Sequence, residues 1–358
     1  MQESANSRSC LLIGIFILML FYTLYFAAAV FLPIILAVLL SLLLSPLVRG
    51  LSVAYIPPAV GAAIVLLMLI ASLGAAVYLL SGPAAEWLDR APGSFREAEA
   101  KLGVLRESIE QVQEATKEVE KHIEELTETD NDSAPEQQVE RVVETQRFDL
   151  TRIVLTGTPR VIASVGIIIV LLYFLLASGD TLLRKVVKVT PRFSDKKRAV
   201  EIARQIQQDI SYYLFTVTLI NMALGATIAI ALCLLELPNP MLWGAMAAIL
   251  NFVPYLGALV GLFIVALVSL LTFDDLSWIL LTPAVFFGLT TLEGQIITPL
   301  ILGHRLVISP LVIFLTMTIW GWLWGIIGIL IAVPTLVSIK ICCEQFESLQ
   351  IIAEFLDR

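Results

Sequence analysis

Thirty-eight consecutive residues, Leu11 to Val48, carry no charged side chain. A helix that crosses a bilayer needs roughly 20 mostly apolar residues, so this run is too long for one crossing. Pro33 divides it into segments near 11–30 and 33–48, and the second is short enough that a tight helical hairpin or a half-inserted helix is the alternative. Comparable runs recur at 59–81, 157–177, 212–235, 241–272, 277–302 and 308–341. They predict an all-α, polytopic membrane protein with about eight transmembrane helices. Composition agrees, with 58% AVILMFWYC and 15% charged residues, against about 25% charged in a soluble domain. A net charge of −8 gives no basic footprint for nucleic acid.

Residues 82–152 hold nine Lys/Arg and eighteen Asp/Glu, so the acidity belongs to one insert. The domain reading is therefore helices one to three in 1–81, an external acidic helical hairpin in 82–155 and helix four in 156–178. A cytoplasmic basic linker in 179–211, helices five to eight in 212–341 and a cytoplasmic tail in 342–358 complete it. In the insert, Ser94 and Glu97 have capping-box spacing. Leu102, Leu105, Ile109, Val112, Thr116, Val119, Ile123 and Leu126 then repeat as a coiled-coil seam. Val139, Val143, Gln146 and Leu150 line a second helix after the polar break at 129–135. His122 is read as solvent-facing on the first of these helices. Such a hairpin suits an assembly collar, an acidic vestibule or a solvated spacer.

The linker places eight Lys/Arg between Arg184 and Arg204 against four acidic residues up to Asp209. Short-loop Lys/Arg excess marks the cytoplasmic side. Both termini then fall in the cytoplasm and 82–155 outside, and the first apolar run is too long for the core of a cleaved signal peptide. Ile202, Ile206, Ile210 and Tyr213 make a linker helix amphipathic, with a basic face toward anionic lipid. Cys10, Cys233, Cys342 and Cys343 lack metal spacing and imply no disulfide. No catalytic or nucleotide motif is present, so no enzyme activity, cofactor or metal is expected.

Glu293 is the one acidic residue deep within an apolar span, nine residues before Leu302. At mid-membrane a carboxylate costs roughly 2.5–3.5 kcal/mol on insertion scales, so it should face a polar cavity or carry a proton. Thr290, Thr291, Gln295 and Thr298 widen its polar surroundings in sequence. In the sixth run, Asn251-Phe-Val-Pro-Tyr-Leu-Gly257 contains Pro254, which interrupts a helix. Interrupted backbone at membrane depth belongs beside protein or a water-filled cavity, where transporters place binding sites. A plain kink, with Asn251 capping a freed carbonyl, is the alternative. Gly257 and Gly261, then Gly321 and Gly325 with Gly328 beyond, are spaced for close helix packing.

These segments together resemble the autoinducer-2 exporter family of bacterial inner-membrane proteins. The matching stretches are Asn251 to Gly257, Glu293 with Pro299 and Gly303, Ile308-Ser-Pro310-Leu, Trp320-Gly-Trp-Leu-Trp-Gly-Ile-Ile-Gly328 and Ala332-Val-Pro334. The resemblance implies a homo-oligomer, pentameric in described members, exporting small polar solutes such as autoinducer-2. Some relatives are assigned sodium(lithium)/proton antiport. Carried over by residue, it points to Asn251, Pro254, Gly257, Glu293, Pro299, Gly303 and Pro310. Three functions are thus expected to compete: export of a small polar solute, cation/proton antiport through Glu293, and scaffolding through the external coiled coil.

Overall fold

The computed structural model describes residues 22–89, 150–178, 193–302 and 308–345, with isolated positions near each end; side chains are described from 161 and from 200 in the second and third stretches. The heptads, His122, Cys10, most of the basic linker and residues 303–307 with Gly303 lie outside these residues. The elements are α1 (Ala28–Val53), α2 (Pro58–Asp89), α3 (Leu150–Ser178), α4 (Phe193–Leu234), α5 (Pro240–Leu250), α6 (Leu256–Thr272) and α7 (Leu276–Leu292). A π-helical turn (Glu293–Ile297), α8 (Thr298–Leu302) and α9 (Pro310–Glu344) follow. Among the described residues, six helices are long and apolar enough to cross a membrane. The expectation of about eight separate spans changes in three places.

The first change is at Pro33, which interrupts nothing. It lies inside α1 and is buried. The helical ladder even continues upstream of α1, with Ala27 N donating to Thr23 O at 2.8 Å and Phe31 N to Ala27 O at 3.0 Å. Proline removes one donor, and packed neighbours let a membrane helix absorb that loss.

The second change is that 241–272 is a pair of helices folded back on each other. The eleven residues of α5 rise only about 16 Å, half a bilayer core. Leu237 before α5, Trp243 on it, and Val265 and Val268 on α6 share one buried cluster with Phe286, and Phe273 packs on it. Both ends of the pair therefore sit at the same face as the C-terminal end of α4. A Cβ on Gly257 would stand 1.8 Å from Leu250 O, so only glycine lets the return arm pass there.

The third change is α9. A straight 35-residue helix would measure about 52 Å. Yet Ser309 N donates to Leu356 O at 3.2 Å, and the twelve residues after Glu344 can reach back at most about 43 Å. The helix instead doubles back at Trp324 (φ −135°, ψ 16°) and Gly325 (φ 63°, ψ −144°). Across the fold, a Cβ on Gly328 would meet Trp320 O at 2.0 Å, and one on Gly321 would meet Ile329 Cγ1 at 2.9 Å. Gly325 is thus the turn itself, with nothing within 4 Å of its Cβ position, rather than a packing residue. Trp324 Nε1 donates to Leu24 O at 3.2 Å and Trp322 stacks on Tyr25, which pins the tip against the first helix.

The two hairpins enter from opposite faces. The first is rooted with the C-terminal end of α4, near Leu232. The second is rooted with its N-terminal part: Ile210 and Tyr213 share a cluster with Ile308, Val337 and Ile341. Their local design matches as well. Each starts on a proline, Pro240 or Pro310, and turns fifteen residues later at a φ of 63°, at Tyr255 and Gly325. In each, a later glycine packs on the carbonyl ten residues beyond that proline, Leu250 or Trp320. A crossing helix precedes each hairpin, α4 in one direction and α7 in the other. This is an inverted-topology repeat. Between α4 and α5, Gly225 and Gly244 bring the backbones together, and a Cβ on Gly225 would meet Gly244 O at 2.6 Å.

Candidate functional site

The first hairpin ends at membrane depth, where Asn251 to Tyr255 leave the helical path. Val253 N returns to Leu250 O at 2.9 Å, and Leu256 N donates to Pro254 O at 2.7 Å. The latter closes a γ-turn on Tyr255, at φ 63° and ψ −54°. For a side chain other than glycine this backbone is strained, at a cost of order 1–3 kcal/mol. The Tyr255 ring is exposed and offsets little of that cost. Tyr255→Gly is therefore expected to raise the thermal unfolding midpoint of the purified protein, by about 1 kcal/mol of stability; a lower midpoint would show that the ring matters more than the strain.

Asn251 is held at this tip, and its Nδ2 donates twice, to Asn221 Oδ1 on α4 at 2.9 Å and to Glu293 Oε2 at 3.1 Å. The second carboxylate oxygen, Oε1, accepts from Thr298 Oγ1. Glu293 is 6% exposed and Asn221 2%. A carboxylate is tolerable at that depth because both oxygens are hydrogen-bonded. Asn221 Nδ2, by contrast, is buried and donates to nothing in the protein. Buried polar groups are nearly always paired, so this amide stands out as a donor to spare beside a buried acid.

Glu293 opens the π-helical turn, and Thr298 N donates to Glu293 O to close it. The turn has a local cause. Pro299 cannot donate to the carbonyl four residues back and its ring needs room there, which the wider π turn gives. Such turns recur at functional sites. The extra residue also rotates the helix, so that Thr298 meets Glu293 while Gln295 faces outward and exposed. Thr291 is likewise exposed, and Thr290 spends its hydroxyl on Phe286 O and Phe287 O, both at 3.0 Å. Of the six polar residues expected around the pathway, three converge: Glu293, Asn251 and Thr298. Pro254 lies in the interrupted segment and Pro310 at the first turn of α9.

Glu293 also reaches the wall of a cavity of about 290 Å³ between α4 and α7. Thr216, Thr227, Ala223 and Leu289 are among its other lining residues, and Glu293 is the one ionisable group there. Leu219, Leu292 and Ile301 line it too and are about half exposed, so it opens on the flank of the helices. No group of three or more His, Cys, Asp or Glu side chains fit to hold a metal occurs among the described residues.

Sequence reasoning missed Asn221. Its one signal is that no other amide, acid or base interrupts the apolar run 212–234.

The family model described as AI-2E family transporter matches residues 14–348. The putative transport protein YhhT of Escherichia coli is 29% identical over 213 residues, 59% of this chain and 59% of the relative. The AI-2 transport protein TqsA of Escherichia coli is 29% identical over 202 residues, 56% of this chain and 58% of the relative. The putative transport protein YrrI of Bacillus subtilis is 28% identical over 176 residues, 49% of each chain. The matches thus span about half to three fifths of the length of these relatives.

Proposed function

The chain belongs to the AI-2E family of transporters, and from that premise we propose that it is a secondary transporter exporting a small polar solute, with the autoinducer-2 class as the first candidate. The observation that carries this reading is the Asn221–Asn251–Glu293 cluster, where the tip of the first hairpin meets α4 and the π-helical turn after α7. Inverted repeats with discontinuous helices let one half move against the other around a midplane site. In this reading the solute's hydroxyl or carbonyl groups exchange with the Asn251 amide for Glu293 Oε2 and for the orphan Asn221 Nδ2. The basic linker marks the cytoplasmic side of the bacterial inner membrane, so export runs from the roots of the second hairpin toward those of the first.

Cation/proton antiport is the second reading, and the buried carboxylate favours it. Glu293 Oε1 and Oε2 would hold a proton or a sodium ion in turn. Its weak point is donor chemistry: both oxygens already accept hydrogen bonds, and hard cations want several oxygen ligands.

One assay addresses both readings. Reconstituted protein is loaded with candidate polar solutes and efflux is followed, with a pH dye inside and a sodium pulse outside. Solute efflux without sodium-driven proton movement is expected. Asn251→Ala should lower that efflux about tenfold, the equivalent of one lost hydrogen bond to a charged partner. Proton movement on the sodium pulse with no solute efflux would replace the first reading by the second.

A further inference from the structure

A second, larger cavity lies well away from Glu293, at the end of the bundle that carries the basic linker. Its volume is about 560 Å³, and it is walled by the last turns of α1, the start of α2, the end of α3 and the first part of α4. On α1, Ser41, Ser45, Arg49 and Ser52 fall on one stripe, and all four line it. From α3 comes Ser178, and from α4 come Arg204, Gln207 and Gln208. No carboxylate is among the lining residues. The solute pathway makes no use of this group, and packing alone gives no reason to gather two guanidinium groups around one hollow.

The donors can be counted. Ser41 Oγ and Ser52 Oγ donate to their own helix, to Val38 O at 2.8 Å and Arg49 O at 2.7 Å. Arg204 has an interaction within the protein, but a guanidinium has five N–H groups and serves more than one acceptor. The Ser45 and Ser178 hydroxyls, the two glutamine amides and the two arginines remain as a donor-rich, positively charged wall. Guanidinium forks match the oxygens of phosphate in geometry and charge. Deeper in, the wall turns apolar: Val48 and Leu176 line the cavity and also belong to the buried cluster that joins α1, α2 and α3. Phosphate donors outside and apolar side chains inside follow the polarity of a phospholipid at the membrane surface.

We propose that this cavity binds a phosphate-bearing anion, with Arg49 and Arg204 as its charged ligands. Two sources share that chemistry, a phospholipid headgroup and a soluble phosphate. A ligand here ties α1 and α3 to the root of α4, the helix that carries Asn221.

The test uses the purified full-length chain in detergent, with phosphatidylglycerol, phosphatidylcholine or inorganic phosphate added. Bound lipid is counted by native mass spectrometry and stabilisation is read from thermal unfolding. Phosphatidylglycerol is expected to bind in preference to phosphatidylcholine, and Arg49→Gln and Arg204→Gln should each weaken it about fivefold. Ser45→Leu, which fills the cavity without changing charge, should weaken it as well and decides the matter if the arginine variants fail to fold. Stabilisation by phosphatidylglycerol alone identifies the headgroup as the source; equal stabilisation by inorganic phosphate identifies a soluble ligand. Phosphatidylglycerol binding left unchanged by Arg49→Gln, Arg204→Gln and Ser45→Leu, or indifference between the two lipids, overturns the proposal.

Discussion

Glu293→Gln should leave the fold standing and slow solute efflux by about ten- to hundredfold, the equivalent of about 1.5–3 kcal/mol for a contact to a charged group. The fold survives because the hydrogen-bond network around this position can run in reverse. In the native protein Asn251 Nδ2 donates to both Glu293 Oε2 and Asn221 Oδ1. With glutamine in place, its amide nitrogen meets Asn251, whose amide turns so that Oδ1 accepts. Asn221 turns too, and its Nδ2, which donates to nothing in the native protein, then donates to the same oxygen. Thr298 Oγ1 keeps an oxygen to donate to. Every partner is retained and one negative charge is gone. Glu293→Leu keeps neither the charge nor the partners: Asn251 Nδ2 is left with Asn221 Oδ1 alone and the Thr298 hydroxyl loses its acceptor, at about 1–3 kcal/mol. A thermal midpoint near wild type for the glutamine variant, a lower one for leucine and slow efflux for both is the expected pattern. Wild-type efflux in the glutamine variant would remove the carboxylate charge from the mechanism and leave Glu293 a structural hydrogen-bond acceptor.

What was legible in the sequence follows from what the bilayer penalises. Glu293 and Asn251 stand out because polar groups in an apolar run carry a cost that needs a reason, and the interruption at Pro254 stands out because proline cannot continue the backbone ladder. The folding back of 241–272 and 308–341 was not legible. An apolar run has the same composition whether it is one helix or two antiparallel halves, and periodicity cannot tell them apart when lipid or protein surrounds every face. The glycine spacings were legible only in part: Gly261 meets Phe286 on α7 and Gly321 meets Ile329, as close packing requires, but spacing does not say which arms meet. Gly257 with Gly261, and Gly321 with Gly325, have the spacing of a packing motif between helices. Yet Gly257 meets the carbonyl of Leu250 in its own hairpin, and Gly325 makes a turn. Asn221 was passed over because a single amide in a long helix costs little. Only its contact with Asn251, thirty residues away in the chain, gives it a role.

Gly257→Val is the sharper test of the hairpin itself, and its effect should be the largest of any single substitution considered. The new Cβ would lie 1.8 Å from Leu250 O and 2.5 Å from Leu250 C. Both are backbone atoms, so no rotamer change relieves the clash, and valine adds two methyl groups beyond the Cβ. The arms must separate by more than an ångström at the point where Asn251 begins the tip. Overpacking a tight core commonly costs about 1–3 kcal/mol and occasionally more, and a backbone clash belongs at the upper end. The consequence for the site is specific. Asn251 is carried by the arm that moves, whereas Glu293 is on the π-helical turn after α7 and Thr298 begins α8. The bond from Asn251 Nδ2 to Glu293 Oε2, already 3.1 Å, breaks first and leaves a buried carboxylate with one partner. The variant should therefore lose efflux even at temperatures where its helices persist by circular dichroism, and its thermal midpoint should fall further than that of Glu293→Leu. Gly294→Val is the control, because a Cβ there meets nothing within 4 Å and the residue is exposed. If Gly257→Val transports and unfolds as Gly294→Val does, the two arms do not pack at Gly257, and the placement of Asn251 against Glu293 falls with them.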